Sequence, residues 1–117
     1  MRWFGRRRAR IAKGTGAATM DRASEKVDRE YLEEFIRSRR GVEGYVEPRT
    51  TVTETTLLLV AIDGEWTRRR VPSPAWAHDL ANGLGVPSYD AAVVGYPQRM
   101  RDFNRRQSEQ RKADPGD

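Results

Sequence analysis

The sequence predicts a single α+β domain: a three- or four-stranded, mostly antiparallel sheet packed against two helices, in the order α-β-β-β-α-β. A polar helix follows the last strand. Three observations carry this prediction: an amphipathic stretch over residues 21–40, a β-branched run that ends in the turn pair Asp63-Gly64, and a helix start at Ser73-Pro74. The length of 117 residues suits one such domain.

Residues 21–40 form the first predicted helix. Val27, Tyr31 and Phe35 repeat at a spacing of four, which places them on one apolar stripe. Acidic residues precede basic ones along this segment, an order that complements the helix dipole. Gly41 is the predicted terminator, because glycine tolerates the left-handed backbone that ends many helices.

Two strands are expected after this helix. Residues 42–47 form a short strand that Pro48 ends, and residues 50–62 form a longer one that is rich in β-branched side chains. The unbroken apolar run from Leu57 to Ile62 indicates a central strand that is buried on both faces.

A hairpin is expected to join the long strand to a returning strand over residues 65–71. Asp63-Gly64 is typical of a two-residue type I′ turn, and a loop of that length fixes the register of the two strands. The predicted register pairs Ile62 with Glu65, Ala61 with Trp66, Val60 with Thr67, Leu59 with Arg68 and Leu58 with Arg69.

The second half of the chain begins with a well-signalled helix over residues 74–84. Ser73 supplies the N-cap, and Pro74 occupies the first helical position, where its missing N–H costs nothing. A last strand is expected over residues 89–94. Residues 98–112 have few apolar side chains, so a partly formed polar helix is predicted there.

The folded core is expected to be small. About 75 residues lie in it, and a domain of that size buries only somewhat over roughly 60% of its unfolded surface. Oligomerisation or a partner is expected on that ground. The predicted core includes Tyr31, Phe35, Leu58, Val60, Ile62, Leu80 and Val93.

The net charge of +5 is unevenly distributed along the chain. Residues 1–20 carry +6, residues 21–98 carry −3 and residues 99–117 carry +2. We predict that the first segment is a disordered basic arm, the second the folded domain, and the third a polar helix and tail. An alternative start at Met20 would remove the arm altogether. A chain without cysteine forms no disulfide and holds no cysteine zinc site.

These charges predict a non-enzymatic binding protein that contacts RNA or a ribonucleoprotein. Basic side chains neutralise phosphates, and aromatic residues such as Trp3 and Phe4 stack on unpaired bases. A charge-protected sheet edge and a solvated helix are the alternatives for the later arginines. The candidate contacts are Arg6, Arg7, Arg8, Arg10, Arg68, Arg70, Arg101 and Arg105.

Two other functions stay open. One is a protein–protein module or homodimer that uses an exposed sheet edge or the Trp76 region. The other is a metal-dependent nuclease that uses Glu54 and Glu65, since the order of elements also describes a restriction-endonuclease-like core. Thr67 stands where that core would want a lysine, and no nucleophile motif accompanies His78. We therefore predict no catalytic residue, no metal site and no cofactor.

Four motifs resemble a family of small uncharacterised actinobacterial proteins. They are Leu32 to Gly41, Tyr45 to Arg49, Asp63 to Arg68 and Gly95 to Met100, and the resemblance covers about residues 28–106. It implies a soluble protein and assigns no site residue. A cytoplasmic location without a membrane partner is expected, because the longest apolar run is far short of the roughly 20 residues that span a bilayer.

Overall fold

The structure, a computed structural model, describes residues 22–113, with side chains from residue 25 onward. This part of the chain is an α+β fold, as predicted, with a mixed four-stranded sheet in the order β3-β2-β1-β4. The β1–β2 and β2–β3 pairs are antiparallel, whereas β1 and β4 are parallel. Its elements are α1 (Arg22–Ser38), β1 (Glu43–Glu47), β2 (Thr56–Val60), β3 (Trp66–Arg70), α2 (Pro74–Gly83), β4 (Ser88–Asp90), α3 (Ala91–Val94) and α4 (Gln98–Ala113).

The sheet lies between two layers of helices, so it has a separate apolar core on each face. The strand β2 supplies alternate side chains to both cores, which confirms the burial predicted from its unbroken apolar run. The core between the sheet and helices α1 and α2 contains Leu32, Phe35, Val46, Leu57, Leu59, Ala77 and Ala81. The core between the sheet and helices α3 and α4 contains Tyr45, Leu58, Val60, Ala91 and Met100.

The hairpin between β2 and β3 has a three-residue loop, so the predicted two-residue turn was wrong. The Gly64 N–H donates to the Ala61 carbonyl, and the Ala61 N–H donates to the Glu65 carbonyl. Gly64 has φ of 93°, the left-handed conformation that closes such a loop. The extra loop residue shifts every pair by one position, so that Val60 faces Trp66 rather than Thr67.

Three residues predicted for the core lie largely outside it. Ile62 is 66% exposed, because it belongs to the hairpin loop rather than to β2. Tyr31 is 40% exposed, since α1 turns Leu32 and Phe35 inward instead. Val93 is 79% exposed, because it lies on a helix and not on the predicted strand.

The strand predicted over residues 89–94 stops at Asp90. The Asp90 carboxylate accepts a 2.9 Å hydrogen bond from the Ala92 N–H, which caps the one-turn helix α3 and ends β4. The helix α2 starts as predicted: Ser73 Oγ accepts from the Trp76 N–H, and Pro74 is its first residue.

The C-terminal helix α4 is continuous from residue 98 to residue 113, and its first turns contact the sheet while most of its later residues are exposed. Met100 is its buried contact, and Trp66 Nε1 donates a 2.8 Å hydrogen bond to Asn104 Oδ1. Among the described residues, no helix is long and apolar enough to cross a membrane.

Candidate binding surface beside strand β4

Two carboxylates lie on the same face of the central strand β1. Alternation along a strand places Glu43, Tyr45 and Glu47 on one side of the sheet, the side that α3 and α4 cover. Each glutamate accepts hydrogen bonds from an arginine on another element and from a tyrosine. Two polar clusters, one around Glu43 and one around Glu47, therefore flank the buried ring of Tyr45.

Glu47 is the acceptor of the first cluster. Arg68 donates to both of its oxygens, at 2.8 and 3.0 Å, and Thr56 and Tyr96 each donate a hydroxyl at 2.6 Å. Partial burial acts to raise the pKa of Glu47, but these three donors outweigh it, so that its pKa lies below the ordinary value. The carboxylate stays charged and holds the Arg68 side chain across β2.

Glu43 is the acceptor of the second cluster. Arg99 Nη2 donates to it at 2.8 Å and the Tyr45 hydroxyl at 3.0 Å. The hydrogen bond from Arg99 is the main reason that the pKa of Glu43 is lowered. Arg99 also donates from Nε to the Ala61 carbonyl at 2.9 Å, so this arginine fastens α4 to the end of β2.

Three tyrosine rings meet above β1 and β4. The Tyr45 ring centroid lies 5.5 Å from that of Tyr89 and 6.5 Å from that of Tyr96. Burial, together with the hydrogen bond to Glu43, raises the pKa of Tyr45 to about 12, so its phenol keeps its proton. An open cavity of about 190 Å³, the tyrosine pocket, is lined by Glu43, Tyr45, Tyr89, Val94, Gly95, Tyr96 and Pro97.

Around this pocket, four large apolar or aromatic side chains are exposed within eight residues of sequence, and three of them also line it. Tyr89 is 37% exposed, Val93 79%, Val94 54% and Tyr96 41%. We call these four residues the α3 surface. Single exposed apolar side chains are ordinary, whereas a group of them around one short helix is typical of a contact site.

The two edges of the sheet differ in charge. The edge strand β3 carries Arg68, Arg69 and Arg70, and charged side chains on an edge discourage pairing with another chain. The opposite edge strand, β4, has the sequence Ser-Tyr-Asp and carries no basic residue. The edge beside the α3 surface thus carries one charged side chain, Asp90, against three arginines at the other edge.

The later arginines that were predicted to bind RNA lie on two separate elements, β3 and α4. Arg68 is paired with Glu47, and Arg105 is 3.1 Å from Asp102. Arg101 donates to Gln98 Oε1 and to the Tyr96 carbonyl, while Arg70 is exposed at the end of β3. The other candidates, Arg6, Arg7, Arg8 and Arg10, lie outside the described residues.

The residues considered for a nuclease are not brought together as a metal site. Glu65 is bound by Arg39 at 3.1 and 2.7 Å, and Glu54 lies in the connection before β2. Within residues 25–113 no cluster of three acidic or histidine side chains has metal-binding geometry. His78 Nδ1 lies 2.6 Å from Ser88 Oγ, which joins α2 to β4. The Trp76 ring packs on the core between the sheet and helices α1 and α2, and its Nε1 donates to Glu25.

Sequence reasoning missed the tyrosines and both glutamates of the site. Their partners lie up to 56 residues away along the chain, and such pairs cannot be read from local spacing. One signal was available: Glu43, Tyr45 and Glu47 alternate in a segment that was predicted to be a strand. No family model, curated protein or solved structure matches this chain.

Proposed function

We propose that this chain is a non-enzymatic interaction protein that forms a homodimer through strand β4 and the α3 surface. The exposure of Tyr89, Val93, Val94 and Tyr96 beside the less charged edge of the sheet is the observation that carries the proposal. Burying these side chains removes apolar surface from water, which is the main driving force of association.

A second copy is the occupant that the edge strand fits. Strands at a sheet edge expose backbone donors and acceptors that another edge can satisfy. The Gly44 N–H donates to the carbonyl of Pro87, just before β4, and β4 pairs with β1 on that side. Among the described residues, no strand pairs with the other side of β4. The arginines on β3 disfavour the same pairing at the other edge.

The sequence of β4 is compatible with a two-fold axis. In a symmetric dimer the same patch serves both copies, so antiparallel β4 strands centred on Tyr89 would place Ser88 opposite Asp90. This register avoids two facing carboxylates. The α3 helix of each copy directly follows Asp90, so it would lie next to Ser88 of the other copy.

Sedimentation equilibrium of the full chain tests the homodimer. We expect concentration-dependent dimer formation that Val93→Glu abolishes, because the new charge would be buried against apolar side chains. Val52→Glu is the matched control: Val52 is 87% exposed, outside the α3 surface, and should leave dimerisation unchanged. A monomer at every concentration, or equal effects of the two variants, would refute the homodimer.

RNA contact is a second proposal, supported by Arg70 and Arg101. In the part of the chain that the structure describes, neither arginine makes an ion pair with a carboxylate. Phosphate contacts release counterions, so the affinity for RNA should fall steeply as the salt concentration rises. In a plot of log affinity against log salt concentration, Arg70→Gln and Arg101→Gln should each reduce the slope by about 1. An affinity that is independent of salt contradicts it. A cytoplasmic location is proposed together with it.

A further inference from the structure

The tyrosine pocket has the composition of a receptor for positive charge. Of its seven lining residues, three are tyrosines and one is Glu43, and none is lysine, arginine or histidine. Tyr45 forms the floor and is 6% exposed, while Tyr89 and Tyr96 are exposed at the rim. Its volume of about 190 Å³ is several times the roughly 30 Å³ that a water molecule occupies in the liquid.

The hydrogen bonds of the tyrosines strengthen this preference. The Tyr45 hydroxyl donates to Glu43 and the Tyr96 hydroxyl donates to Glu47, so a carboxylate faces each phenol. An aromatic face attracts a cation through its quadrupole, and a negative partner on the hydroxyl increases the electron density of the ring. Both phenols use their protons in these bonds, which leaves neither hydroxyl proton for an anion.

The arginines that neutralise the two glutamates lie outside the pocket lining. Arg99 is held by carbonyl groups at the end of β2, and Arg68 reaches Glu47 from β3. Neither of them lines the cavity. A ligand in the pocket therefore meets the three tyrosine side chains and Glu43.

We propose that the tyrosine pocket binds an organic cation of the alkylated ammonium class. Such a head group is weakly hydrated, and it makes apolar contacts and cation–π contacts at the same time. Val94 and Pro97 supply the apolar part of the wall. All of the lining residues come from one chain, but Tyr89, Val94 and Tyr96 also belong to the α3 surface, so the proposed dimer and the bound cation use the same side chains.

The test is a titration of the ¹⁵N-labelled full chain with choline, followed by amide chemical shifts. A neutral carbon isostere of choline, in which carbon replaces the charged nitrogen, is titrated in parallel at constant ionic strength. We expect saturable shifts around Gly95 with choline, and an affinity for the isostere that is weaker by about 5-fold or more. Equal affinities, or the absence of saturable shifts, would overturn the proposal.

Two substitutions of Tyr89 separate the effect of its aromatic ring from the effect of its side-chain size. Tyr89→Leu keeps an apolar side chain at the rim but removes the aromatic face, so choline affinity should fall by about 2- to 5-fold. Tyr89→Phe keeps the face and should bind choline as the unsubstituted chain does. Equal affinity of the Leu and unsubstituted chains would show that the ring does not recognise the cation. Val93→Glu, which should prevent dimerisation and changes no lining residue, should bind choline at least as tightly as the unsubstituted chain. Loss of binding in this variant would contradict a pocket that one chain forms.

Discussion

The Tyr96 hydroxyl donates a 2.6 Å hydrogen bond to Glu47 Oε2, and this bond ties the connection between α3 and α4 to the central strand. Tyr96→Phe removes the hydroxyl and keeps the ring. We expect it to lower the free energy of unfolding by about 1.5–3 kcal/mol, the range for a hydrogen bond to a charged group. Urea denaturation measures the loss. Tyr89→Phe is the control, and an equal effect of both variants would contradict a specific role for the Tyr96 bond.

Acid should weaken the fold through Glu47. Its pKa is lower in the folded chain than the ordinary value of 4.5, because hydrogen bonds from Arg68, Thr56 and Tyr96 outweigh the effect of burial. A carboxyl group with a lowered folded pKa contributes stability above its unfolded pKa and loses it as pH falls through the folded value. Stability should therefore decline as the pH drops below about 4.5.

Glu47→Gln isolates this contribution. The variant should be less stable than the unsubstituted chain at neutral pH, by about 1–3 kcal/mol, and the difference should shrink in acid. The pKa of Asp28 is raised mainly by burial, so this residue gives stability the opposite pH dependence. Asp28 is present in both the variant and the unsubstituted chain, so its effect is the same in both. A stability difference that stays constant from neutral to acidic pH would count against the assignment.

Gly64 should tolerate no side chain. Its φ is 93°, and a Cβ atom there would overlap the backbone carbonyl of Arg99 in α4. We expect Gly64→Ala to destabilise the protein by more than about 2 kcal/mol, since the left-handed backbone alone costs roughly 1–2 kcal/mol. Gly83→Ala is the control: nothing lies within 4 Å of that Cβ, and alanine favours the helix. Thermal unfolding of the two variants should shift in opposite directions.

Docking of α4 should depend on Met100. This residue is 9% exposed and packs with Tyr45, Leu58 and Val60. Met100→Ala should cost about 2–5 kcal/mol of stability, the range for buried large-to-small substitutions. Arg105→Ala, which breaks an exposed pair with Asp102, should cost less than about 1 kcal/mol. Chemical denaturation measures the loss of stability in both variants. Equal losses would contradict the dependence of α4 docking on Met100.

The order of elements, apart from the one-turn helix α3, was predictable from the sequence because capping residues and apolar periodicity are local. Ser73 and Pro74 predicted the start of α2, and the Leu57 run predicted a strand buried on both faces. The register of the hairpin was not predictable, because Asp63-Gly64 fits a two-residue loop as well as a three-residue loop. The packing of α4 through Arg99 depends on contacts distant in sequence.

The site was less predictable than the fold. Arginines were the most visible candidates, yet Arg68 is bound to Glu47, a residue that no charge count singles out. The exposure of Val93 depends on where β4 ends, which is set by the Asp90 cap. A shift from strand to helix at that position turned a predicted core residue into the most exposed member of the α3 surface.

An isotope-filtered NOE experiment on a mixture of labelled and unlabelled chains tests the proposed homodimer most directly. The α3 surface should give intermolecular cross-peaks from the Val93 and Val94 methyl groups of one copy to tyrosine ring protons of the other. Their absence, at concentrations where the chain self-associates, would contradict the account. So would intermolecular cross-peaks that involve only other exposed side chains such as Val52 and Ile62.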